Sequence, residues 1–172
     1  MADEVALVAY DPAWPRLYDE EARRLRAVLD PALVIDMQHF GSTAIPGMPA
    51  KPIIDIVIAT PALAAARTRF MGPLLAIGYL FWEDNPKTDR LFFVKGLPPH
   101  GARRTHHVHV TEPEGEVWRR LAFRDHMRAR PDDAARYAAL KHDLALRFRD
   151  DREAYTDAKA DFIAAIMAQV HP

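Results

Sequence analysis

Residues 39–58, HFGSTAIPGMPAKPIIDIVI, constrain the fold more than any other stretch of the chain. An apolar run ends just before Gly41-Ser42, a loop rich in proline and glycine follows, and Lys51 precedes a second apolar run, IIDIVI. That second run contains one charged residue, Asp55. Because an unpartnered carboxylate is costly to bury, the pattern predicts a strand that carries Asp55 to a site. The alternative is an ordinary Gly41-Ser42 turn, with Asp55 at a solvated sheet edge.

Composition narrows the class of protein. A chain of 172 residues predicts one domain with a substantial core. The formal net charge of −1 gives no overall attraction to nucleic acid or anionic membranes, and aromatic residues are not interleaved with a basic run. The absence of cysteine excludes disulfides and thiolate metal sites. No apolar run approaches about 18 residues and no basic-apolar leader is present, so we expect a cytoplasmic protein without a membrane partner.

Hydrophobic periodicity predicts both strands and helices in the first two thirds of the chain and only helices in the last third. Strands are predicted over 33–40, 52–59, 79–82, 90–95 and 105–111, and helices over 11–30, 61–77, 114–130, 132–150 and 151–170. This order favours an α/β (α+β) fold in which helices pack on a mixed or mainly antiparallel sheet. With no internal repeat or long linker, we expect a single domain, with residues 1–112 as its α/β part and residues 113–172 as a helical part packed on it.

Histidines form the second concentration of functional groups, in RTHHVHV at 104–110. Alternate side chains of a strand share a face, so His107 and His109 point the same way and the intervening valines point to the core. His106 has the opposite parity and is left out of this pair. Neutral imidazoles suit Zn²⁺, Ni²⁺ or Fe²⁺ better than Mg²⁺. The alternative is a solvated or hydrogen-bonded histidine pair.

Motifs along nearly the whole chain resemble one family. HFGSTAIPGMPAKPIIDI at 39–56 and RTHHVHV resemble the signature of the GrpB family of small bacterial proteins, and so do WRRLAFRDHMRARP, YAALKHDLA and YTDAKADFI further on. That family is placed in the nucleotidyltransferase superfamily. The resemblance therefore implies a nucleotidyltransferase-like fold, a nucleotide or other phosphate-containing small-molecule ligand, a divalent metal (Mg²⁺, Mn²⁺ or Zn²⁺) and possible nucleotidyl transfer.

The superfamily layout assigns roles to particular positions. In it, a Gly-Ser turn holds the triphosphate and the next strand carries two Asp residues separated by one. Gly41-Ser42 and Asp55 match this layout and imply that Asp55 is catalytic, but Val57 stands where the second Asp would be. This departure argues against a conventional two-metal reaction. With Val57 unable to bind metal, the predicted metal ligands are Asp55, His107 and His109.

Basic residues around the predicted strands indicate an anion pocket. A Gly-Ser turn after a strand presents N–H groups and a hydroxyl to phosphate, and arginine binds phosphate through a bidentate fork. The helical motifs add Tyr–Lys pairs at a spacing of four, which share a helix face. The predicted ligand contacts are Gly41, Ser42, Lys51, Arg90, Arg104, Arg124, Tyr137, Lys141 and Lys159.

Three functions remain open from the sequence. Nucleotidyl transfer follows from the superfamily layout. A non-catalytic ligand-binding or accessory module is favoured by the missing second Asp, and the fusion of the family's domain to dephospho-CoA kinase in some bacteria fits such a role equally well. A metal-dependent hydrolase built on the histidines is the third. The sequence leaves the substrate, the metal and homo-oligomerisation open.

Overall fold

A mixed five-stranded sheet forms the centre of the molecule. The structure is a computed structural model and describes residues 5–170. The strands are β1 (Asp36–Phe40), β2 (Ile54–Ala59), β3 (Tyr79–Phe81), β4 (Arg90–Lys95) and β5 (His106–Thr111). They lie in the order β1-β2-β5-β4-β3, with β2 and β5 parallel and every other pair antiparallel. The predicted mixed sheet, and with it the α/β fold class, is confirmed.

Seven α-helices accompany the sheet within the described residues. They are α1 (Trp14–Val28), α2 (Leu63–Ala76), α3 (Glu116–Arg119), α4 (Leu121–Ala129), α5 (Pro131–Arg147), α6 (Arg152–Asp157) and α7 (Ala160–Val170). The helices predicted over 114–130 and 151–170 as continuous are each divided in two, and that prediction was wrong. Arg120 and Ala158 keep a helical φ, but their ψ values of −10° and −14° interrupt the α-helical geometry.

The main apolar core lies on the face of the sheet covered by α1 and α2. Alternate residues of β2 and β5 point into it because strand side chains alternate between faces. The core residues of these elements include Ile54, Ile56, Ile58, Val108, Val110, Leu25, Phe70 and Leu74, all nearly inaccessible to solvent. The valines of the histidine strand therefore point to the core as predicted.

The opposite face of the sheet carries the candidate functional groups beside a small apolar cluster. Val57, which is fully buried, packs there with Phe40 of β1 and Val117 of α3. Further from the strands, α4, α5 and α7 pack around Ile45 and Met48 of the loop that joins β1 to β2. In the part of the chain from 5 to 170, no helix is both long and apolar enough to cross a bilayer.

Candidate functional site

Asp55 and His107 meet across the parallel pair of strands. They are register partners of β2 and β5, and His107 Nδ1 lies 2.9 Å from Asp55 Oδ1. Since an ionised carboxylate only accepts hydrogen bonds, the Nδ1–H of His107 donates to Asp55. His107 Nε2 then carries the free lone pair, and this atom is buried without a hydrogen-bond partner among the described residues.

His109 completes a group that fits a divalent metal ion. One donor atom from each of Asp55, His107 and His109 lies within 4.8 Å of the other two. His109 Nδ1 is, like His107 Nε2, a buried nitrogen with no partner in residues 5–170. Two imidazoles and one carboxylate form a donor set typical of Zn²⁺ and related transition metals. The unpartnered nitrogens and the donor chemistry therefore fit such an ion.

Burial and hydrogen bonding set the protonation state of this group. Burial lowers the pKa of His107, against the opposing effect of Asp55, and lowers the pKa of His109 to about 3. Burial alone would raise the pKa of Asp55, but the hydrogen bond from His107 and the charges around it hold that pKa below its usual value. Near neutral pH the carboxylate is thus ionised and both imidazoles are neutral, which is the state that binds a metal ion.

The turn after β1 packs directly on the Asp55 carboxylate. Gly41 has φ 71° and ψ −173°, a conformation that is essentially restricted to glycine. A Cβ added there would lie 2.6 Å from Asp55 Oδ2. Gly41 therefore allows the backbone that leads into Ser42 to reach the carboxylate.

Three lysines converge on the same region. Burial is the largest cause of their lowered pKa values, which fall to about 7 for Lys51 and Lys141 and to about 8 for Lys159. Neighbouring positive charges lower them further. Two of them lie near the Tyr155 ring, with Lys159 Nζ 4.1 Å and Lys51 Nζ 5.3 Å from the ring centroid. A bound anion would offset this mutual repulsion.

Lys141 is directed at the protein itself. Its ammonium donates to Ser42 Oγ at 3.0 Å and to the carbonyl oxygen of Pro49. The side chain is almost fully buried and lies 5.1 Å from the ring centroid of Tyr137, whose pKa is raised well above its usual value by burial. Lys141 therefore fastens α5 to the loop that carries Ser42.

The three arginines predicted as ligand contacts lie in three different environments. Arg104 places its guanidinium 4.8 Å from the ring centroid of Trp82, and its charge lowers the pKa of His107 and Lys51. Arg90 lies on β4, and its charge lowers the pKa of His109. Arg124 instead donates to the carbonyl of His39 at 2.7 Å, and thereby supports β1.

Two arginines near the site were missed. Arg152 of α6 lowers the pKa of Lys51, His107 and Lys159 by its charge, and Arg120 does the same for His109 and Lys159. Arg120 lies within the motif WRRLAFRDHMRARP, and Arg152 lies three residues before YTDAKADFI. Their position in or near these motifs was the sequence feature that could have indicated a role at the site. Which face of those helices meets the sheet depends on tertiary packing that the sequence pattern does not reveal.

Residues 4–169 match the family model described as GrpB protein. The chain belongs to the GrpB family. A UPF0157 protein of Pseudomonas aeruginosa is 48% identical over 97% of this chain and 68% of its own length. A dephospho-CoA kinase of Mycolicibacterium paratuberculosis is 35% identical to this GrpB chain, which covers 43% of that protein. The crystal structure of conserved protein GrpB from Enterococcus faecalis superposes with a TM-score of 0.84, at 31% identity and with 96% of each chain covered.

Proposed function

We propose that this GrpB protein binds a phosphate-bearing small molecule together with a divalent metal ion. The observation that carries this proposal is the imbalance of charge around Asp55. The cations Lys51, Lys159 and Arg152 act on a group of one carboxylate and two neutral imidazoles. The pKa of Lys51 is lowered by burial and by Arg152 and Lys159, and that of Lys159 by burial and by Arg120 and Arg152. An arrangement that disfavours its own positive charges favours an anion that compensates them.

Each group has a distinct part in this proposal. Asp55, His107 and His109 would hold the metal ion, which when bound supplies positive charge to phosphate oxygens. Lys51 and Lys159 neutralise the remaining negative charge of the ligand, and Ser42 offers a hydroxyl whose position Lys141 fixes. The Asp55–His107 hydrogen bond orients the imidazole, as carboxylates commonly do for metal-binding histidines.

Nucleotidyl transfer, which the superfamily layout implies, would have to rest on Asp55. Val57 is fully buried against Phe40 and Val117, so Asp55 is the single carboxylate that this strand offers to the proposed site. We expect any release of pyrophosphate from a nucleoside triphosphate to disappear in Asp55→Asn. Release that survives this substitution would remove Asp55 from the mechanism. The superfamily placement itself stays a prediction.

A binding or accessory role is the second candidate. It is favoured by the buried Val57 and by the similarity to a dephospho-CoA kinase of which this chain covers less than half. An assay of pyrophosphate release distinguishes the two functions. The accessory role predicts that the phosphate compound binds without any release of pyrophosphate, whichever acceptor is supplied.

Both candidate functions require binding of a phosphate compound with a divalent metal ion, and calorimetric titration tests this binding. Tripolyphosphate, ATP, GTP, CTP and CoA are titrated with Mn²⁺ or Zn²⁺ into the wild type, into Ser42→Ala/Lys51→Ala and into Lys87→Ala. Lys87 is an exposed lysine that pairs with Glu116 at 3.7 Å, so it serves as a matched control. We expect the double variant to lose about 10- to 100-fold in affinity, the scale of a lost hydrogen bond to a charged group, and the control to bind normally. Equal binding by all three proteins, or no binding by the wild type, would reject the proposal.

A further inference from the structure

The face of the sheet that carries the histidines continues as an aromatic surface onto β4 and β3. The N–H of Trp82 donates to the carbonyl of Phe92 at 2.8 Å, so Trp82 extends the pairing just beyond the end of β3. Phe81, the preceding residue, faces the main core. By strand alternation, Trp82 and Phe92 point to the opposite face, where Phe92 is the register partner of His109.

Ring contacts connect this surface to the metal-binding group. The Phe92 ring is stacked on His109, with centroids 4.6 Å apart, and meets His107 edge-on at 5.1 Å. Trp82 lies one strand further out and is 38% exposed. Two strand spacings, about 10 Å, therefore separate the histidines from an indole that solvent can reach.

Arg104 borders both regions. Its guanidinium lies 4.8 Å from the Trp82 ring centroid, and its charge acts on His107 and on Lys51. An exposed tryptophan alone would need no explanation. Here the indole lies in line with Phe92 and the histidines, and a basic residue connects it electrostatically to the lysines.

We propose that Trp82 and Arg104 bind the planar ring of a ligand whose phosphates occupy the cleft at Asp55, Lys51 and Lys159. The ligand class is then a nucleoside phosphate, whose base stacks on the indole while its phosphate chain extends over Phe92 toward the metal-binding group. This inference rests on the proposed function and narrows it. Stacking tolerates different bases because every base has a π-face, so weak discrimination among bases is expected.

Separate probes for the ring and for the phosphates test the inference. ATP, CTP, tripolyphosphate and adenosine are titrated with Mn²⁺ into the wild type, Trp82→Ala and Trp82→Phe. We expect ATP and CTP to bind the wild type more tightly than tripolyphosphate does. Trp82→Ala should lose about 5- to 150-fold in affinity for the nucleotides, the range of a lost stacking contact, and none for tripolyphosphate. Trp82→Phe keeps an aromatic ring and should retain most of the affinity.

Tryptophan fluorescence gives a second readout that does not depend on affinity differences. Nucleotide binding should quench emission in the wild type and in Trp118→Phe, which removes a tryptophan packed against the Phe40–Val57 cluster. The quenching should vanish in Trp82→Phe. Circular dichroism confirms that each variant is folded.

The outcomes separate the two proposals. Equal affinity for ATP and tripolyphosphate in the wild type would reject the ring site and leave the phosphate site standing. Quenching of Trp82 by adenosine, with no binding of any phosphate compound, would reject the proposed function and leave a nucleoside site. No binding and no quenching with any probe would overturn both.

Discussion

At the residue scale, the Asp55 carboxylate has two roles: it orients the His107 imidazole by a hydrogen bond, and it is itself a proposed ligand of the metal ion. Asparagine retains an oxygen that accepts the His107 Nδ1–H, but it lacks the charge. We therefore expect Asp55→Asn to remain folded and to bind Zn²⁺ at least about 100-fold more weakly, which calorimetry would measure. Asp133, paired with His126 at 2.8 Å, provides the matched control, and Asp133→Asn should bind Zn²⁺ normally. Equal loss in both variants would contradict the assigned site.

Gly41 is the second residue on which the site depends. Alanine at this position would have to adopt an unfavourable backbone conformation and place Cβ 2.6 Å from Asp55 Oδ2. We expect Gly41→Ala to lower the free energy of unfolding by about 1–3 kcal/mol from the backbone strain, and by more if the close contact is not relieved. Denaturant titration measures this change. Gly47 also has a positive φ, of 77°, but it has open space at its Cβ position, so Gly47→Ala carries only the backbone cost and should be less destabilising than Gly41→Ala. A tolerated Gly41→Ala would mean that the turn does not need this close approach.

The lowered lysine pKa values predict how anion binding depends on pH. In the free protein Lys51 and Lys159 have pKa values of about 7 and about 8, so they lose protons as the pH rises through this range. An anion favours the protonated lysines, and binding above pH 7 therefore takes up protons. We expect the affinity for tripolyphosphate to fall between about pH 7 and about pH 9, by up to about tenfold per pH unit for each proton taken up.

Titrations in buffers of different ionisation enthalpy measure that proton uptake directly. Lys51→Met should reduce both the uptake and the slope of affinity against pH. An affinity that stays constant or rises over the same range would show that these lysines do not contact the anion.

At the scale of elements, the contact between α5 and the loop between β1 and β2 depends on Lys141. Replacement by methionine leaves Ser42 Oγ and the Pro49 carbonyl without this donor. We expect Lys141→Met to speed amide hydrogen exchange in residues 42–50 by about tenfold or more and to weaken phosphate binding. Arg147→Met, an exposed change on the same helix, is the control. Unchanged exchange in this loop would show that other contacts hold it.

The elements also show what the sequence can predict. Alternation and apolar runs were enough to place all five strands to within a few residues, because β2 and β5 are buried and strongly patterned. The parity of His107 and His109 likewise followed from strand geometry. The breaks near Arg120 and Ala158 were not predictable, since no proline or glycine stands at either position in the sequence.

The sequence indicated some of the residues of the candidate site but not how the fold brings them together. Asp55 and the histidines stand out because charged groups inside apolar strands are unusual. Their contact depends on β5 lying directly beside β2, which is a matter of sheet order. The inward direction of Lys141 and the positions of Arg120 and Arg152 depend on how the helices dock, so spacing along the sequence was not sufficient.

At the scale of the whole molecule, the helical part and the sheet part share an apolar cluster. Ile45 and Met48 come from the loop beside the sheet, and Phe123, Met127 and Ile166 come from the helices. We expect thermal unfolding to show one transition, with coincident midpoints by far-UV circular dichroism and tryptophan fluorescence. Residues 113–172 expressed alone should not fold. Two separate transitions, or a folded helical fragment, would contradict the single-domain prediction.

The parallel pairing of β2 with β5 has a consequence for synthesis on the ribosome. Asp55 and His107 are 52 residues apart, and the segment that supplies α2, β3 and β4 must be made before they can meet. Lys141 reaches Ser42 across 99 residues. Such distant contacts form late and slowly. A nascent or truncated chain therefore lacks the complete proposed site, and binding of the proposed ligand would protect from proteolysis only those chains whose translation has reached the last helices.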